Sequence, residues 1–200
     1  MVSAIVLAAG SSTRMGGENK LLLPWNGSTV IEHTVHQVML SGVDETIVVT
    51  GYQHEEISFV LSQSGAFVVF NPSHTAGMTG SIQAGVNAST GNAFMICLGD
   101  LPMIRSDEYG KLVRLAKELG GQDEPFIIIP RFRNVKANPV IFSSAFKQAI
   151  LDHTAPEGCR EIVAANQHCV QWVDMESDHV IMDIDSTTDY QNLIHGNKSY

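Results

Sequence analysis

The strongest constraint on this chain is an alternation. Short β-branched apolar runs recur at 3–7, 46–50, 66–70, 93–98 and 126–130, and amphipathic stretches of helix length at 29–40, 53–62, 78–88 and 107–119 lie between them. Runs apolar without a break suit strands buried on both faces, and spacers of that length permit right-handed crossovers. The pattern predicts an α/β fold: a three-layer, doubly wound domain around a mostly parallel sheet. The final third is less regular, with 140–142, 169–173 and 179–184 read as strands and 144–151, 159–165 and 187–193 as helices. No internal repeat or linker interrupts it. Residues 1–195 are therefore expected to form one domain, followed by a frayed polar tail, 196–200.

A chain of 200 residues that is 44% hydrophobic can bury such a core without disulfides. Its 12 Lys and Arg face 21 Asp and Glu, a net charge of −9. That acidity argues against nucleic acid as a partner, which needs a basic face, but leaves room for a single nucleotide. No apolar run approaches the ~18 residues of a membrane span, so no membrane partner is expected. Arg14 and Lys20 follow the first apolar run instead of preceding it, unlike a signal peptide. Cys97, Cys159 and Cys169 are an odd set without C-x-x-C spacing, which fits neither a disulfide framework nor a zinc site. A cytoplasmic protein is expected.

The loop after the first strand carries most of the functional signal. Ala8-Ala9-Gly10 leaves the backbone bare where a ligand can approach, and Ser11, Ser12, Thr13, Arg14, Gly16, Gly17 and Lys20 follow. A glycine-rich turn offers N–H groups to phosphate oxygens, and Arg and Lys neutralise them. Two better-known phosphate loops do not fit. A P-loop needs Lys directly after its second glycine, whereas Glu18 and Asn19 follow Gly17, and G-x-G-x-x-G is absent. The plain alternative is a surface turn with two solvated cations.

Leu7-Ala8-Ala9-Gly10, Arg14-Met15-Gly16 and Lys20-Leu21-Leu22 together resemble the signature loop of the MobA-like nucleotidyltransferases, and the Ala-Ala-Gly form resembles the molybdenum cofactor cytidylyltransferase branch. The resemblance implies a Rossmann-like fold of the nucleotide-diphospho-sugar transferase type. It implies that Leu7, Ala8, Ala9, Gly10, Arg14 and Lys20 bind the nucleotide, and that Arg14 and Lys20, with Asp100, are catalytic.

Further segments match in order. Asn71-Pro72, Gly77-Met78, Ser81 and Gly85 resemble the family segment that walls the nucleotide base, which nominates Asn71, Gly77 and Ser81. Gly77 would let backbone approach a flat base and Ser81 would hydrogen-bond it; the alternative is that Thr79 or Ser81 only caps a helix. Leu98-Gly99-Asp100-Leu101-Pro102 sets a carboxylate at the carboxyl edge of the sheet, where α/β ligands bind. Mg²⁺ takes a few carboxylates plus substrate phosphates, so Asp100 can begin a metal site, or it forms an Asx turn. Asp183 and Asp185 lie two apart, on one side of the expected strand, and resemble the family's terminal Asp-Ile-Asp segment, a second source of metal carboxylate. Either one instead caps the last helix.

The match weakens on the acceptor side. Ala137-Asn138-Pro139 stands where the family carries Gly-His-Pro, and residues 154–160 keep only Gly158 and Arg160 of Gly-Asp-x-Gly-Ala-Arg. The implied reaction is Mg²⁺-assisted transfer of a nucleoside monophosphate, CMP from CTP, to the phosphate of a molybdopterin-type acceptor, releasing pyrophosphate. A molybdoenzyme or its maturation factor is the implied protein partner. Transfer to a sugar or polyol phosphate, or a non-catalytic nucleotide or pterin escort, are the rival readings. The Ala9 methyl narrows the base pocket, which favours a pyrimidine over a purine. The eight histidines show no metal-ligand spacing and are read mostly as surface residues.

Overall fold

The computed structural model describes residues 1–121 and 124–196. In chain order the elements are β1 (Val2–Ala8), β2 (Pro24–Trp25), β3 (Ser28–Thr29), α1 (Val30–Met39), β4 (Glu45–Thr50), α2 (His54–Val60), β5 (Phe67–Phe70), α3 (Met78–Ala88), β6 (Ala93–Leu98) and α4 (Ser106–Leu119). Then follow β7 (Ile127–Phe132), β8 (Val135–Lys136), β9 (Val140–Ser143), α5 (Lys147–Leu151), α6 (Arg160–Ala165), β10 (Val170–Asp174) and α7 (Thr187–Gly196). Of the expected tail, Gly196 ends α7 and 197–200 lie outside the described residues.

One sheet runs in the order β10-β7-β9-β6-β1-β4-β5, with β8 paired to β7. β1 lies parallel to β4 and β6, β4 to β5 and β7 to β10, while β9 runs antiparallel between β6 and β7. The mostly parallel, doubly wound sheet is as expected. The period of two along β1 divides the core: Ala4, Val6 and Ala8 face the layer of α1, α2, α4 and α7, and Ile5 faces the layer of α3, α5 and α6. Thr29 and Glu32 close a capping box at the start of α1: Thr29 Oγ1 accepts from the Glu32 N–H, and Glu32 Oε2 accepts from the Thr29 N–H.

One expected strand is absent. Residues 179–184 form a short 3-10 turn, His179–Ile181, and then irregular backbone. Their main-chain partners are loop groups and not a ladder: the Val180 carbonyl accepts from Asn138 N–H at 3.3 Å, and Ile184 N–H donates to the Asp100 carbonyl at 3.1 Å. The segment crosses the carboxyl edge of the sheet instead of joining it. Among the described residues no helix is long and apolar enough to cross a membrane.

Candidate functional site

The carboxyl ends of β1 and β6 open into a cleft of about 390 Å³. Its first wall is the loop after β1, where Ser12 (φ 49°), Gly16 (φ 67°) and Gly17 (φ 105°) adopt left-handed backbone and fold the chain back on itself. Asn19 caps the turn Lys20–Leu22 by accepting from Leu21 N–H at 3.1 Å, and Lys20 N–H donates to Ser12 Oγ at 3.2 Å. This aims the Lys20 ammonium across the cleft, where it lies 2.5 Å from Asp100 Oδ2 and 3.3 Å from Asp185 Oδ1. Arg14 sits in the turn Thr13–Met15, and its side chain lies outside the described residues.

Asp100 reaches the cleft because Gly99 precedes it. Gly99 N–H donates to the Leu7 carbonyl at 3.0 Å, and a Cβ there would lie 2.9 Å from that oxygen. No larger residue lets the end of β6 press so closely on β1. The hydrogen bond from Ile184 to Asp100 then brings Asp185 to the same edge. Asp183 points a more exposed side chain nearby. Its carboxyl is held above its usual range, first by partial loss of water and then by the charges of Asp100 and Asp185.

A divalent cation fits this edge on one observation. Asp100 Oδ1 is buried without a hydrogen-bond partner among the described residues, while Oδ2 is held by Lys20. An orphaned carboxylate oxygen is costly unless something positive completes it. Among the described residues no group of three or more His, Cys, Asp or Glu gathers to hold a metal. An oxygen donor set with one or two carboxylates suits a hard divalent cation that completes its shell with phosphate oxygens and water.

The opposite wall comes from the turn between β5 and α3. Ser81 lines the cleft and accepts from Asn71 Nδ2 at 3.0 Å. Asn71 itself is buried behind Ser81, also accepting from Ser73 N–H at 3.0 Å, and Ala8 lies in the core beneath the loop; neither lines the cleft. Leu7, Ala9, Gly10 and Gly77 do. Capping is not what Thr79 and Ser81 do, since the residue before α3 is Gly77 and neither hydroxyl caps the helix. Gly77 (φ 119°) is required by a close approach to protein: a Cβ there would lie 2.7 Å from the Pro156 carbonyl. His74 and Thr75 also line the cleft, and neither is expected there from the sequence. The chain turn after β5 puts them there, and no local motif marks them.

A second pocket of about 460 Å³ adjoins the first, and Met78 and Leu98 line both. Most of its wall is carbon, from Ile82, Ile96, Val140, Phe142 and Val163. Lys136, Asn138, Glu157 and Arg160 supply its polar groups, and Glu157 accepts from Arg160 at 3.3 Å. Lys136 is held below its usual range by partial burial and then by the Arg160 charge, and burial pushes the Cys159 thiol up to about 11. The two segments that depart from the family pattern, Ala137-Asn138-Pro139 and 154–160, thus both contribute to one pocket, through Ala137 and Asn138 and through Glu157, Cys159 and Arg160.

A charged strand edge, a glycine-rich turn and an adjoining pocket are the parts of a group-transfer site on phosphate. Comparison with known proteins gives it a family. Residues 4–170 match the MobA-like NTP transferase domain. The molybdenum cofactor cytidylyltransferase of Escherichia coli (strain K12) is 25% identical over 190 residues, covering 94% of this chain and 93% of that protein. A nucleotidyl transferase from Methanothermobacter thermautotroptrophicus superposes with a TM-score of 0.85 at 25% identity, covering 100% of this chain and 99% of that one. Rv0371c from Mycobacterium tuberculosis H37Rv, solved in complex with manganese, shares the fold with a TM-score of 0.80 at 20% identity over 97% of this chain and 98% of that one. With a family match that spans most of its length, this chain belongs to the MobA-like NTP transferase domain family.

Proposed function

We propose that this protein transfers CMP from CTP to the phosphate of a molybdopterin-type acceptor, releasing pyrophosphate. One observation carries the reading: Lys20, Asp100 and Asp185 converge at the strand edge, with Asp100 Oδ1 left unpartnered beside them. Asp100 and Asp185 would hold Mg²⁺, which supplies charge neutralisation on the triphosphate. Lys20 pairs with those carboxylates in the free protein; with nucleotide bound it turns to the phosphate oxygens, where negative charge grows as pyrophosphate leaves. Arg14 and the N–H groups of the loop after β1 share that task. The cleft wall of Ala9, His74, Gly77 and Ser81 receives the base, and the second pocket receives the acceptor. Holding the acceptor phosphate against the α-phosphorus makes the attack effectively unimolecular, with no covalent enzyme intermediate.

The second pocket favours a flat-ringed acceptor over a sugar or polyol phosphate. Polyol hydroxyls set against Ile82, Ile96, Val140 and Val163 would lose water without gaining partners. Ring faces are apolar and ring edges polar, which suits a carbon wall with Asn138 and Glu157 also present. A mere escort would have no use for an ammonium set between two carboxylates at the phosphate edge. The three free, buried cysteines suit a cytoplasmic setting, where a molybdoenzyme or its maturation factor would collect the product. Mg²⁺-dependent pyrophosphate release, measured for the four NTPs with molybdopterin and with polyol phosphates, tests the reading. Release with CTP and molybdopterin is expected; release with polyol phosphates alone would overturn the acceptor.

A further inference from the structure

The two pockets share a wall, and one buried hydroxyl joins its halves. Thr79 is 6% exposed and is absent from the lining of both pockets. Its Oγ1 donates to the Ala155 carbonyl and accepts from Gly158 N–H at 3.0 Å. Beside it, Met78 N–H donates to the Pro156 carbonyl at 2.9 Å. One turn further along α3, Gln83 Nε2 donates to the carbonyls of Ile150, Leu151 and His153 at 3.1, 2.9 and 2.8 Å. The end of α5 and the loop after it, 150–158, are therefore clamped along the first two turns of α3.

Those turns face the cleft through Gly77, Met78 and Ser81, while the clamped loop leads into Glu157, Cys159 and Arg160 of the second pocket. We propose that Thr79 is a positioning residue that makes the acceptor pocket depend on the nucleotide. A nucleotide packed against Gly77 and Ser81 restrains the first turn of α3. Through Thr79 that restraint passes to Ala155 and Gly158, so the loop that walls the acceptor pocket is held in its binding form. Coupling of this kind is reciprocal: the acceptor then tightens the nucleotide by the same factor. The proposal rests on reading the first cleft as the nucleotide site and the second as the acceptor site.

Thr79→Val keeps the shape and deletes both hydrogen bonds, and Thr79→Ser keeps the hydroxyl. Hydrogen exchange at the Gly158 amide, with and without CTP and Mg²⁺, reads the coupling without any acceptor. In the wild type the nucleotide should slow that exchange about fivefold or more. In Thr79→Val the Gly158 amide should exchange fast whether or not CTP is present, with the CTP Kd within about threefold of wild type, below the usual range of such couplings. The KM for molybdopterin should rise about tenfold while kcat holds, and Thr79→Ser should restore both exchange and KM. If CTP binds the wild type but leaves Gly158 exchange unchanged, the coupling is overturned while the nucleotide site stands. A CTP Kd that weakens in Thr79→Val as much as the acceptor KM does, measured with no acceptor present, also overturns it, since Thr79 would then only hold the wall together. If CTP does not bind the wild type, both readings fall.

Discussion

The two pockets at the carboxyl edge are built on different principles. The donor cleft is set by charge and close backbone approach: Lys20 lies within 3.3 Å of both Asp100 and Asp185, and Gly99 lets β6 press on β1. The second pocket, proposed to take the acceptor, is set mainly by shape: most of its wall is carbon, with Lys136, Asn138, Glu157 and Arg160 as its polar groups. Charge is needed where charge moves during the reaction, and it tolerates little change in distance. Shape is enough where one molecule must only be told from another, and a shape can be assembled from many residue combinations. On the proposed reading, chemistry sits in the first pocket and specificity in the second.

Asp100→Asn should break the donor side most severely. Activity should fall on the order of 10²–10³-fold, because the orphaned oxygen loses the charge a cation needs. In metal-free buffer the melting temperature should move by less than about 3 °C, since Lys20 keeps Asp185 as a partner and a crowded acidic edge loses one charge. Retained activity with a large drop in melting temperature would make Asp100 a structural residue. Lys20→Ala should cost about 10²-fold in turnover. It also leaves Asp100 and Asp185 without their shared cation, so Mg²⁺ should raise this variant's melting temperature more than it raises the wild type's. A Mg²⁺ response equal to that of wild type would separate Lys20 from the metal edge.

On the acceptor side the effects should be smaller and of another kind. Val140→Ser puts a hydroxyl into the carbon wall and should raise the acceptor KM about tenfold, with the KM for CTP unchanged. If both rise together, the pockets do not divide the work as described. Ala9→Gly should raise relative use of GTP a few-fold in kcat/KM. The effect is modest because the Ala9 methyl is already 6% exposed and partly turned into the wall. Unchanged selectivity would move the base elsewhere in the cleft.

The fold was largely legible, because buried parallel strands and helical spacers leave an unmistakable alternation in the residues. Two signals behave differently. Asn26-Gly27, both with positive φ, turns the small β2–β3 hairpin and is a strong local marker that the apolar pattern overshadows. Val180-Ile181-Met182 looks like strand because it is apolar, yet its backbone partners are loop groups beyond the reach of any local pattern. The convergence of Gly10, Lys20 and Asp100 on one cleft was legible because each stands in a short motif at the end of a strand or in the loop after it. His74 and the acceptor wall were not. Ile82, Ile96, Val140, Phe142 and Val163 lie on four separate elements, α3, β6, β9 and α6, and meet only after the sheet has formed.

The smallest effect on activity should come from the strut behind the metal edge. Glu108, buried at the start of α4, accepts from Arg105 N–H, Ser177 Oγ and His179 Nδ1, and so anchors the segment leading to Asp183 and Asp185. Burial pushes its carboxyl up, but these hydrogen bonds outweigh it and leave the group below its usual range. A depressed carboxylate stabilises the fold above its unfolded value of about 4.3, and that stability drains away as the pH falls through the folded value. Glu108→Gln should lower the melting temperature at neutral pH by about 3–6 °C and flatten the acid limb below about pH 4, with kcat within about twofold. An unchanged acid limb in calorimetry would remove Glu108 from this role.

The carboxylate and ammonium groups of the strand edge are proposed to support nucleotidyl transfer from CTP. That role is tested most directly by following α-phosphate label from CTP into molybdopterin, together with pyrophosphate release, in wild type and Asp100→Asn with and without Mg²⁺. Stoichiometric transfer and release are expected in the wild type only when Mg²⁺ is present, with near-complete loss of both in Asp100→Asn. Transfer that survives Asp100→Asn, or pyrophosphate released with no label reaching the acceptor, would contradict that role.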